Sequence, residues 1–106
     1  MSAYVVAIVR ETRFGPEVKE YLEKIDETLR PYPGTFRVHG GPYHLLEGAS
    51  SGDLIIIEFP SLAQAKAWYS SAAYQAIKPL RTSNTDGDVF LVTGVSDSHT
   101  ATDILG

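Results

Sequence analysis

In Thr35 to His39, TFRVH, strict alternation turns Phe36 and Val38 one way and Thr35, Arg37 and His39 the other. Glu58 closes the apolar run Leu54 to Ile57 and belongs to what a four-stranded sheet would make the adjacent strand. Aimed together into an apolar cavity, the three would form a polar floor. His39 would then serve as base or acid near neutral pH, and Arg37 would hold a carboxylate or stabilise an enolate. The plainer reading is a structural ion pair at a strand end.

A second group is aromatic. Tyr69 and Tyr74 are placed to offer hydroxyls at the mouth of such a cavity, and Trp68 to stack on a planar ligand, although aromatic residues at helical spacing also serve as core. Arg81, just beyond the last helical segment, is expected to bind an anion or pair with Glu58, and a cation there also suits the helix dipole. Asp88 is expected to brace the turn before the final strand.

Other chemistries find no footing. The 106-residue chain has no cysteine, which excludes disulfides, thiolate metal sites and thiol catalysis. His39 and His44 are separated by a Gly-Gly-Pro break and His99 lies in a polar tail, so no metal set is expected, and no cofactor. Gly40 and Gly41 follow a strand without the spacing of a phosphate loop. Ser50-Ser51, Ser70-Ser71 and Thr82-Ser83 sit at turns without a histidine-acid partner, so serine hydrolysis is unsupported. A formal charge of -4 gives no attraction to nucleic acid. No apolar run reaches the roughly 20 residues of a membrane span. The first strand begins almost at Met1, leaving no room for a signal segment, so a cytoplasmic location is expected.

The elements that must position these residues follow from periodicity. Ala3 to Val9 is apolar on both alternating faces, as in a central strand, and Arg10 to Arg13 end it. Pro16 opens a helix whose stripe is Val18, Tyr21, Leu22, Ile25 and Leu29, stopped by Pro31 to Gly34. Thr35 to His39 is the second strand, with Tyr43 to Glu47 a short extension and Gly48 to Asp53 a turn. Leu54 to Phe59 is the third. Ser61 and Gln64 have capping-box spacing before a helix from Leu62 to Tyr69. Ser70-Ser71 divide it from a second piece, Ala73 to Leu80, which Pro79 ends or bends. Asn84 to Gly87 reads as a turn and Asp88 to Thr93 as the fourth strand.

The order βαββαβ is that of a ferredoxin-like α+β fold, a four-stranded antiparallel sheet with both helices on one face. The other face of such a sheet is apolar and calls for a symmetric partner, so a homodimer is expected. Residues 1–95 read as one domain, and 96–106 as a tail that frays or lies along a partner.

EFPSLAQAKAWYSSAAYQ, continuing to Arg81, resembles the central segment of the DUF1330 family within the dimeric α+β barrel superfamily. The opening AYVVA, Phe36 to Gly41, Glu47-Gly48 and the strand before Gly94 extend the resemblance over Ser2 to Val95. This chain has His39 where the commoner family form has arginine. The resemblance implies a ferredoxin-like subunit pairing into a dimeric α/β barrel, and no particular reaction. The wider superfamily includes haem-handling enzymes and cofactor-free oxygenases, a likeness of fold alone.

Two functions are therefore expected. One is binding of a small apolar or weakly anionic metabolite in a cavity at the sheet face. The other is cofactor-independent oxygenase- or isomerase-like turnover of a small carbonyl or phenolic compound by His39 and Arg37.

Overall fold

Strand β1 (Ala3–Thr12) is the hub of the sheet because it is apolar on both faces, pairing antiparallel with β3 (Asp53–Phe59) on one side and β4 (Thr85–Thr93) on the other. A computed structural model describes residues 1–49 and 52–106; Ser50 and Ser51, expected within the turn before β3, lie outside the described residues. β2 (Thr35–His39) completes the order β2-β3-β1-β4. Helices α1 (Pro16–Leu29), α2 (Leu62–Ser70) and α3 (Ala72–Thr82) follow β1 and β3.

The α+β architecture and four-stranded antiparallel sheet are those expected. The barrel is not. β2 and β4 lie at opposite edges of an open sheet and do not pair with each other. Closure requires strongly tilted, staggered strands around a filled interior. Here the helices supply the filling on one face only, so the sheet stays open.

One face of β1, carrying Ala3, Val5, Ala7 and Val9, is buried with Ile57 and Phe59 of β3 beneath Tyr21, Ile25 and Leu29 of α1 and Trp68 and Tyr74 of the later helices. The core is thus a single layer between sheet and helices. Tyr4, Val6, Ile8, Leu54 and Ile56 occupy the opposite face and are half-buried, while Phe90 and Val92 remain 46% exposed.

Several local features differ from the periodic reading. Tyr43 to Glu47 forms no strand. β4 starts at Thr85, because Asp86 and Asp88 are cross-strand partners rather than turn residues: Arg13 reaches Asp86 at 3.1 Å and Arg10 reaches Asp88 at 2.8 Å. β1 correspondingly runs on to Thr12. Ser61 Oγ accepts the Gln64 amide at 3.2 Å, but buried Gln64 Oε1 finds no partner among the described residues. Only half of the capping box forms. Ser71 ends α2 and caps α3 by accepting the Tyr74 amide. Pro79 lies inside α3, which continues to Thr82 and so carries Arg81 on its last turn.

Candidate functional site

Helix α1 packs chiefly on α3 and stands off the strands. With small Ala7 in the middle of the central strand, this leaves an apolar cleft of about 230 Å³ between helices and sheet. Val5, Ala7 and Ile55 form its floor, and Val18, Tyr21 and Tyr74 face them from the helices. His39 and Phe14 stand at its margin.

Thr12, His39, Asp53 and Thr85 also line the cleft, but its one linked cluster of polar side chains among the described residues is that of Tyr21, Tyr74 and Arg81. The Tyr21 and Tyr74 hydroxyls are 2.8 Å apart in a buried hydrogen bond, and Arg81 Nε donates to the Tyr74 oxygen at 3.3 Å. Burial pushes the Tyr21 phenol well above its ordinary pKa, reinforced by Tyr74 and only partly opposed by Arg81. Burial also works against the Arg81 charge, but the Tyr74 and Tyr21 oxygens more than offset it and raise the Arg81 pKa. The result is a protonated Tyr21 phenol near a firmly cationic guanidinium.

Trp68 is 1% exposed, lines the cleft, and donates its indole N–H to Thr28 Oγ1 at 2.9 Å. That bond satisfies both polar groups inside the core. Tyr69 packs against Trp68 and Tyr74 at ring-centroid distances of 6.1 and 5.4 Å, with Lys78 Nζ 5.3 Å from its own ring centre.

Arg37, His39 and Glu58 do not converge. β2 meets β3 as Phe36 opposite Ile57 but Val38 opposite Ile56, so Arg37 is an extra residue in a bulge. Such a bulge reverses the facing of every residue after it. His39 therefore lands on the helix side, opposite Ile55, with its ring stacked on Phe36 at 4.5 Å. Arg37 stays on the open side, where Nε donates to Glu58 Oε1 at 2.8 Å. Ser2 Oγ donates to the other Glu58 oxygen at 2.5 Å. These bonds, Ser2 first and Arg37 second, hold the Glu58 carboxyl below its usual range. Arg81 pairs with the tyrosines and not with Glu58. Asp88 braces β1 through Arg10. Positive φ values at Gly40 and Gly41, 70° and 103°, turn the chain away directly after His39.

Tyr21 is the site residue that the periodic reading assigned only to core. Its signal was a hydroxyl within an otherwise aliphatic helix stripe, since a buried phenol must find a partner. Among the described residues no group of three His, Asp or Glu side chains is placed to hold a metal ion, and no helix is long and apolar enough to cross a membrane.

A family model described as a domain of unknown function, DUF1330, matches residues 2–95. No curated protein matches the chain. Among solved structures, a protein of unknown function from Rhodopseudomonas palustris is similar at TM-score 0.66 and 14% identity, over 90% of this chain and 83% of that one. A protein from Jannaschia sp. CCS1, described as dimeric, ferredoxin-like and of unknown function, aligns at TM-score 0.65 and 14% identity over 87% and 96% of the two chains. One from Thermobifida fusca, described in the same terms, aligns at TM-score 0.57 and 11% identity over 87% and 90%. At such identities the likeness is one of fold.

Proposed function

The chain belongs to the DUF1330 family, a domain of unknown function, and from the cleft that its fold builds we propose that it is a binding subunit for a small, mainly apolar metabolite. The observation that carries this reading is the 230 Å³, mainly apolar cleft with a hydrogen-bonded cluster of Tyr21, Tyr74 and Arg81 in its wall. Its volume falls below the roughly 300–1,000 Å³ of drug-sized pockets, which fits a compound of one or two rings. Tyr69 and Trp68 contribute aromatic wall, and His39 contacts the outer edge of the ligand. Binding is favoured over turnover because Arg37 is engaged by Glu58 on the opposite face from His39, so the two cannot act on one substrate in the cleft.

Calorimetric titration with 2-naphthol, a neutral two-ring probe at pH 7, tests this. One site per subunit is expected, lost in Ala7→Phe, where the new ring fills the floor; circular dichroism checks that this variant folds. Failure of the wild-type protein to bind, or equal binding by a folded Ala7→Phe, overturns the reading.

We further propose that the open sheet face is covered by a second copy of the chain. Half-buried Val6, Ile8 and Ile56 adjoin exposed Phe90 and Val92 there, a contiguous apolar surface of the kind that marks an interface. The description of two structural relatives as dimeric supports the same arrangement. Sedimentation at micromolar concentration is expected to give twice the subunit mass, and Phe90→Glu to give single subunits. A wild-type monomer contradicts it.

A further inference from the structure

The hydrogen-bond inventory of the cleft's polar end contains more donors than the protein can use. An arginine guanidinium carries five N–H donors and no acceptor. Of those on Arg81, Nε–H goes to Tyr74, and among the described residues no carboxylate receives the others. The tyrosine pair brings two O–H protons, and their mutual bond consumes one. Since Arg81 donates as well, the second hydroxyl proton has no acceptor within the cluster, whichever tyrosine carries it.

The other arginines show how unusual this is within the same chain. There are five. Arg10, Arg13, Arg30 and Arg37 each hold an acidic side chain at the surface. The chain has thirteen acidic residues and an acidic balance, yet the arginine that lines the cleft is the one with no acidic partner among the described residues. A cation in the wall of a mainly apolar space, with surplus donors beside it, is complementary to an anionic oxygen.

We propose that the cleft binds a small carboxylate with an apolar, one- or two-ring body, its carboxyl group seated on Arg81 and the Tyr21–Tyr74 pair. Because Nε is occupied by Tyr74, the terminal nitrogens of Arg81 offer the parallel N–H pair that matches two carboxylate oxygens. The unspent tyrosine proton supplies a third donor. The ring body lies over Ala7 and Ile55. This inference rests on the cleft being a ligand site.

The test compares 2-naphthoate with 2-naphthamide, which share ring and shape but differ in charge, by calorimetry on the wild-type protein at pH 7. The carboxylate is expected to bind at least about tenfold more tightly, as a charge-assisted bidentate contact implies. In Arg81→Gln the preference should shrink to within about twofold, and in Tyr74→Phe, which keeps the charge but loses a hydroxyl, to an intermediate value. Equal affinity of the two probes for the wild-type protein overturns the carboxylate assignment while leaving the cleft as a binding site. Binding of neither overturns both readings. An undiminished preference in Arg81→Gln rejects the seat on Arg81, and because the first comparison needs no variant, a misfolded substitution does not shield the proposal.

Discussion

Along β1, residues alternate between two environments. Ala3, Val5, Ala7 and Val9 sit under the helices, while Tyr4, Val6 and Ile8 line a face that the rest of the chain leaves partly open. Both sets are apolar, so hydrophobicity alone does not separate a ligand site from a partner surface. Polar detail does. The helix side holds a donor-rich cluster in the wall of a concave space, whereas the open side is lined by aliphatic and aromatic groups and edged by Arg37–Glu58, already closed on each other. Concavity with unspent donors selects a small molecule. Apolar surface bordered by satisfied charges selects another protein surface.

The largest effect is expected where the helix side depends on packing. Trp68→Ala should cost about 3–5 kcal/mol in urea denaturation, because it empties a fully buried site and strands Thr28 without its indole partner. A cost near that of a surface substitution would mean that the helix layer is not held by this ring.

A smaller effect concerns pH. The folded-state pKa of Tyr21 is raised above its unfolded value, so its contribution is complete below the ordinary tyrosine pKa of about 10 and declines as pH rises beyond it. Denaturation midpoints of the wild-type protein should fall above about pH 10, and more gently in Tyr21→Phe. An unchanged alkaline slope would show that the Tyr21 phenol is not desolvated. This sharpens the contrast between faces, since the open side has no comparable buried phenol pair among the described residues.

The smallest effect belongs to the open side. The Glu58 pKa is depressed, so its contribution is present above the ordinary carboxylate range and is lost as pH falls through the folded value. Its partner Arg37 has 57% of its side chain exposed, and solvent screening weakens such a pair. Arg37→Ala should leave the neutral-pH midpoint nearly unchanged and slightly flatten the acid limb. A large loss at neutral pH would assign the pair a structural role beyond that of a surface bridge.

Much of the framework was legible because burial imposes period. Val18, Tyr21, Ile25 and Leu29 of the expected stripe are buried, though Leu22 is 43% exposed, and the central β1 and the Ser61 half of the capping box reappear. The grouping of Arg37 with His39 was not legible, because a bulge adds one residue to the pairing without leaving a compositional mark in TFRVH. The strand extension through Asp86 and Asp88 was also hidden. Acidic residues beside glycine resemble a turn until Arg10 and Arg13 are seen opposite them. Barrel closure failed as an expectation for a different reason: it concerns how strand edges meet, which the alternation of side chains within a strand does not encode.

The division of labour between faces is tested most directly by amide NMR spectra of the wild-type protein titrated with 2-naphthol. The largest shifts should fall at Ala7, Tyr21, Ile55 and Tyr74, with Val6, Ile56 and Phe90 little affected. Shifts concentrated at Val6, Ile56 and Phe90 would place the ligand on the open face and contradict the account.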